Sequence, residues 1–227
     1  MQAGKPINSV YFFTKYLLGF ILTVILFTQT GLAQKSSDWK LVTEEGNIRV
    51  FTRKTTRSDF KEVRILAILE VEFGAFIDAL NDVPAYGEWV YKCKNPRKLN
   101  FVNSNELYYY VQTDLPFPLS DRDLVVHSKQ WMSEDGMSYH THSTAVPDVL
   151  EEVKGIVRIR SYESFWDVTQ DEYGRLLIDY RVVADPGGYL PVWMVNMAVT
   201  QGPLETMKNL ETFVKNRSFL ADKRRKK

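Results

Sequence analysis

The chain has 227 residues, 44% apolar, 25% charged and 13% aromatic, which suffices for one well-cored globular domain. Its 29 Lys and Arg balance 28 Asp and Glu; without the two bases before residue 34 and the five that end the chain, 22 bases face 28 acids. A mildly acidic body with a short basic tail argues against nucleic-acid binding as the main function, and a lone cysteine, Cys93, excludes an internal disulfide framework, a cysteine-rich zinc site and a two-thiol redox motif.

Residues 1–33 read as a secretory signal peptide. Lys5 and Lys15 precede an eleven-residue apolar run at 17–27, and Gly31 and Ala33 supply small residues for cleavage ahead of Gln34. The expected location is therefore the periplasm or the extracellular space. The alternative is an uncleaved membrane anchor, since Tyr16–Ala33 just reaches spanning length but contains Thr28, Gln29 and Thr30.

The mature chain then reads as strands interrupted by two helices. Lys40–Thr43 and Asn47–Arg53 flank the turn cluster Glu44-Glu45-Gly46-Asn47 and predict a hairpin. Glu62–Val71 is β-prone and apolar on both parities in its middle, so a cover is expected on each face. Phe73, Phe76, Ile77 and Leu80 recur at helical spacing, and Pro84 ends that helix; a short second helix at 86–91 carries Trp89.

Strands follow at 106–113, at 123–132 with 137–144 around Ser133-Glu134-Asp135-Gly136, and at 155–167 with 176–184 around Asp171-Glu172-Tyr173-Gly174. The result is an antiparallel meander of seven to nine strands, with no alternation of strand and helix that a parallel sheet would need. After Asp185-Pro186-Gly187-Gly188, a long helix is expected from Pro191 to about Lys215. Its apolar stripe is Val192, Val195, Val199, Pro203, Met207, Leu210 and Val214, and Pro203 should kink it. Residues 217–227, closing in Lys223-Arg224-Arg225-Lys226-Lys227, read as a solvated disordered tail.

No catalytic or metal motif emerges. His127, His140 and His142 are too few for a closed zinc site, and Cys93 has no activating partner in its surroundings. Asp114, Asp121 and Asp123 around Arg122 read as turn caps or partners of that arginine. No cofactor and no metal are expected.

The local patterns nonetheless converge. Trp39, the string Gly46-Asn47-Ile48-Arg49-Val50-Phe51, Trp89, Leu115-Pro116-Phe117-Pro118-Leu119-Ser120-Asp121-Arg122-Asp123, and Tyr180 followed by Asp185-Pro186-Gly187-Gly188-Tyr189-Leu190-Pro191-Val192-Trp193-Met194-Val195-Asn196 occur in one order. Together they resemble a START domain, the lipid-transfer domain related to the steroidogenic acute regulatory protein. The resemblance implies an α+β helix-grip fold over 34–216: a curved antiparallel β-sheet wrapped around a long C-terminal α-helix, with an internal apolar cavity. It implies a lipid or other hydrophobic small molecule as ligand, transient contact with a membrane surface, and no catalysis; a monomer is expected.

The expected ligand contacts are Tyr110, Leu124, Val126, Ser128, Tyr180, Val182, Asn196, Val199 and Met207. Some relatives place an arginine, paired with an acid, where this chain has Ser128, so a charged sterol-type pair is not expected. Strand parity puts Leu124, Val126 and Ser128 on one face; the opposite assignment turns Val125 and His127 inward. Two rival functions remain at this stage. A helix-grip enzyme would need an ionisable pair in the cavity, drawn from Asp114, Arg158, Asp179 and Glu163, whereas an envelope interaction module would have its core filled.

Overall fold

The computed structural model describes residues 39–55, 60–103 and 105–225, with the side chains of 100–102, 192–193, 195–200 and 219–225 left aside. Residues 1–33, expected to be a signal peptide, lie outside the described residues. Ten strands form one sheet: β1 (Lys40–Glu45), β2 (Ile48–Arg53), β3 (Glu62–Leu69), β4 (Cys93–Asn103), β5 (Glu106–Thr113), β6 (Arg122–Met132), β7 (Ser138–Ala145), β8 (Val157–Arg158), β9 (Ser161–Gln170) and β10 (Leu176–Asp185). Two short helices, α1 (Phe73–Asn81) and α2 (Tyr86–Trp89), lie between β3 and β4, and the long α3 (Val192–Arg225) ends the chain. The strand order is β1-β2-β3-β10-β9-β7-β6-β5-β4, antiparallel throughout; the two-residue β8 pairs parallel with β6, off this path.

The joint between β3 and β10 makes this arrangement possible, because the first hairpin and the later meander meet there in register from Leu69↔Leu176 to Val63↔Val182. Val63, Ile65, Ala67 and Leu69 then share one buried face with Ile178 and Leu176. Helix α3 covers that face. Its described stripe, Met207, Leu210 and Val214, is fully buried against the cluster of Ile48, Val50, Ile65 and Phe76, each side chain worth about 1.5–3 kcal/mol of transfer free energy. Helix α1 is capped by Glu72, whose carboxylate accepts from Gly74 N (2.9 Å) and Ala75 N (2.5 Å). Its buried Phe76, Ala79 and Leu80 join the same core.

Four features differ from the expectations. Leu66 and Ile68, on the outer parity of β3, are half-buried with no second layer among the described residues; they lie in a shallow groove with Arg49, Leu177 and Asp179, neighbouring side chains that shield them in place of a covering element. Helix α3 continues through Pro203 to Arg225 rather than ending near Lys215, so 217–225 is helix and not a disordered tail. Arg217 there pairs with Asp82 (2.6 Å) and lies over the Phe213 ring. An edge strand, β4, runs through 93–103, a stretch that shows no strand pattern because its pairing with β5 is broken by three register shifts.

The carboxylates around Arg122, finally, do not pair with it, although Asp121 does cap the turn by accepting from Leu115 N (3.0 Å). Lys94 takes Asp114 (2.6 Å) and Asp121 (2.8 Å), and Arg158 takes Asp123. Arg122 instead donates to the carbonyls of Ser120 (2.6 Å), Pro186 (3.2 Å) and Gly187 (3.0 Å), tying the loop before β6 to the turn before α3. That turn needs its glycine: Gly187 has φ +66°, and a Cβ there would stand 3.2 Å from Val157.

Candidate functional site

A cavity of about 270 Å³ lies between the inner face of the sheet and α3. Its floor is β5, β6, β7, β9 and β10, its roof Pro203, Thr206 and Met207 of α3, and one end is closed by Leu80, Tyr86 and Trp89 of the α1–α2 segment. Space exists there because three neighbouring strands carry serine at one level. Ser128 of β6 stands opposite Ser143 of β7, and Ser143 opposite Ser164 of β9. In an interior packed to crystal density, a row of serines where large apolar side chains would stand leaves room.

The row is internally satisfied: Ser143 Oγ donates to Ser128 Oγ (2.9 Å), and the Tyr162 hydroxyl donates to Ser164 Oγ (2.8 Å). Tyr109, Tyr162 and Tyr180 add phenols to the wall, and burial pushes all three above the ordinary tyrosine range, so they stay neutral. Trp166 stacks at a tilt on Tyr180, ring centroids 4.3 Å apart, and edge-on to Phe76 at 6.2 Å. Tyr86 lies edge-on to Trp89 at 4.9 Å.

Of the nine residues expected to contact ligand, Leu124, Ser128, Tyr180, Val182 and Met207 line this cavity. Val126 shares their parity and is fully buried, but does not reach the wall. Asn196 and Val199 lie on α3, with side chains outside the described residues. Tyr110 is misplaced: alternation along β5 gives the cavity to Leu107, Tyr109 and Val111 and turns Tyr110 to the other face. There its hydroxyl donates to Asp123 (3.2 Å), and Arg97 lies over its ring. Sequence reasoning passed over Tyr109, Thr141, Ser143, Tyr162 and Ser164; once the hairpin registers are drawn, Ser143 and Ser164 fall in line with Ser128.

Apart from Arg122, which starts β6 on the inward parity but ends on backbone carbonyls outside the cavity wall, the charged side chains of these strands stand on the opposite parity. His140 accompanies Asp167 (2.8 Å), which also accepts from Arg181 (2.7 Å), and Arg64 grips Asp179 through two bonds of 2.9 and 2.7 Å. His142 pairs with Glu163 (3.0 Å) and stacks on Phe165, while His127 pairs with Glu106 and stacks on Tyr108. His127 thus faces outward, which settles the two assignments of β6 in favour of Leu124 and Ser128 inward. Asp114, Arg158, Asp179 and Glu163, the candidates for an ionisable pair in the cavity, all stand outside its wall. Burial pushes the Cys93 thiol up to about 11, away from thiolate chemistry. Among the described residues no group of His, Cys, Asp and Glu could hold a metal ion.

The family model for the START domain matches residues 27–218. The chain belongs to the START family. Its curved open antiparallel sheet with a long C-terminal helix is the helix-grip arrangement. Among solved START structures, a STAR-related lipid transfer protein fragment from Xanthomonas axonopodis superimposes with a TM-score of 0.72 at 28% identity, over 79% of this chain and 99% of that one. Human StAR-related lipid transfer protein 5 shares the fold, with a TM-score of 0.71 at 16% identity over 90% of this chain and 99% of that one. In sequence, an uncharacterized protein of Pseudomonas aeruginosa is 28% identical over 199 residues, 86% of this chain and 97% of that protein. The human phosphatidylcholine transfer protein is 23% identical over 189 residues, 81% of this chain and 87% of that protein.

Proposed function

We propose that this START domain binds one lipid or other hydrophobic small molecule in the cavity between sheet and α3 and carries it unchanged. The mostly apolar cavity, roofed by the helix that closes the core, is the observation that carries this reading. Burying apolar ligand surface at about 25 cal/mol per Å² supplies affinity without any catalyst. The uncharged wall supports a carrier over a helix-grip enzyme, and the cavity itself favours it over an interaction module with a filled core. Relatives named as lipid-transfer proteins agree with it.

The cavity of about 270 Å³ is close to the lower end of small-molecule sites, roughly 300–1,000 Å³, so a two-chain lipid requires α3 to shift from the sheet. Transient membrane contact fits two aromatic side chains on loops that Arg122 ties together: Phe117, 97% exposed, and Tyr189, 84% exposed. Export through residues 1–33 places this activity in the periplasm or outside the cell, with membrane anchoring as the alternative.

Solvent extraction of the full chain purified from its own cells, followed by mass spectrometry, tests the reading. One hydrophobic molecule per chain is expected, and N-terminal sequencing should begin at or near Gln34. A chain that arrives empty and takes up nothing from lipid vesicles contradicts the carrier; full-length protein confined to the membrane pellet replaces export by anchoring.

A further inference from the structure

Among the described residues, two polar atoms in the cavity wall have no hydrogen-bond partner: Trp89 Nε1 and Thr141 Oγ1. Trp89 is 3% exposed and Thr141 7%, so water outside the protein does not serve them. A buried indole N–H ordinarily finds an acceptor, and leaving it alone costs the desolvation of a donor. The neighbouring wall hydroxyls, by contrast, are bonded to one another. The two orphans therefore mark where a cavity occupant can supply polar atoms. An indole nitrogen only donates, so it calls for an acceptor oxygen, while a threonine hydroxyl both donates and accepts.

The rest of the wall limits what that occupant is. No Lys, Arg, Asp, Glu or His lines the cavity among the described residues. The helix segment 192–200, whatever side chains it turns inward, contains no ionisable residue. An ionised group placed inside would have no counter-charge, and burying an unpaired charge is far costlier than burying a hydroxyl.

Resting on the carrier reading above, we propose that Trp89 and Thr141 receive the polar end of an uncharged lipid, a hydroxyl or an ester carbonyl, and that the cavity discriminates against ionised head groups. Trp89 donates to the ligand oxygen, and Thr141 accepts from a ligand hydroxyl. The serine row gives space and leaves the choice of head group to these two side chains.

A chain-matched series separates head group from tail. Isothermal titration of the full chain, below micelle formation at pH 8, compares dodecan-1-ol, methyl dodecanoate, dodecanoate and dodecylphosphocholine. The alcohol and the ester should bind, with the two amphiphiles that carry ionised head groups, one anionic and one zwitterionic, about a hundredfold weaker. Trp89→Phe should weaken both neutral ligands about tenfold, and the near-isosteric Thr141→Val should weaken the alcohol about fivefold and the ester less. Dodecanoate or dodecylphosphocholine binding within threefold of the alcohol overturns the head-group assignment. So does an unchanged alcohol affinity in Thr141→Val with a native circular dichroism spectrum, a criterion that stands even where Trp89→Phe does not fold. Failure of all four amphiphiles to bind strikes the carrier reading itself, and this assignment with it.

Discussion

The inner and outer faces of β6, β7, β9 and β10 are built from opposite chemistry, although they alternate along the same strands. Inward stand Ser128, Ser143, Ser164, Tyr180 and Val182 around an open space. Outward stand His140, Asp167, Arg181 and Asp179, bonded across neighbouring strands to one another or, for Asp179, to Arg64. The difference separates holding the sheet together from leaving room inside it. Ionic pairing fixes the strands from the outside, so the inside can be under-filled without losing register.

A third region sharpens this contrast. Behind β6, on the face away from the cavity, Arg158 and Asp123 form a pair with side chains 1% exposed at each partner. Arg158 also donates to the carbonyls of Pro147, Leu150 and Glu151, fixing the loop after β7.

Breaking that pair should give the largest effect. Asp123→Ala leaves a buried guanidinium uncompensated and should cost about 3–5 kcal/mol in urea unfolding, whereas a loss below 1 kcal/mol would show that water reaches Arg158. Filling the inner face should do the reverse. Ser143→Phe occupies the cavity and should lower the affinity for a fluorescent lipid at least about thirtyfold, or ~2 kcal/mol, with the circular dichroism spectrum kept; retained affinity would move the site elsewhere.

On the outer face, Arg181→Ala removes one bond from a half-exposed network and should cost no more than about 1 kcal/mol by urea unfolding, leaving lipid affinity unchanged. Acid should act through the same kind of pairs. The Lys94 hydrogen bond holds the Asp121 carboxyl below the usual carboxylate range. Burial alone would raise Asp167, but its bonds with His140 and Arg181 prevail and lower it. A carboxyl lowered by folding lends stability that is complete above its unfolded value, about 3.9, and is lost as pH falls through its folded value. The melting temperature should therefore be flat in this respect from pH 5 upward and should drop below about pH 4; a decline already under way at pH 6 would point to other groups. The smallest effect is expected for Cys93→Ser, since this thiol has no activating partner: ligand affinity should stay within a few-fold, and its loss in a folded variant would revive a thiol chemistry.

How much of this was legible in the sequence depends on how local each signal is. The turns at 44–47, 133–136 and 171–174, the Pro84 stop and the breaker at 185–188 are carried by a few adjacent residues, and they placed the hairpins and the start of the long helix correctly. The edge strand at 93–103 was invisible, because bulges destroy its alternation and an edge strand has no need of a continuous apolar face. The end of the long helix carries no such local signal: Lys and Arg after Asn216 read as a tail, yet they are good helix formers on an already nucleated helix.

Within the site, Ser128 and Leu124 followed from parity alone, while the tyrosine triplet 108–110 offers a ring to each face and led to Tyr110 in place of Tyr109. The serine row depends on which residues oppose which across three strands. The orphaned Trp89 and Thr141 depend on what fails to reach them, a property of packing and not of any segment.

Photo-crosslinking tests the central claim, that the ligand lies on the inner face beneath α3, most directly. A long-chain alcohol bearing a diazirine on its tail, equilibrated with the full chain and irradiated, should label peptides through inward residues such as Leu107, Tyr109, Trp166 and Met207, and excess unlabelled dodecan-1-ol should suppress the labelling. Labelling concentrated on Phe117, Trp131 or Tyr173, which are exposed on the outside of the molecule, and indifferent to competitor, would contradict it.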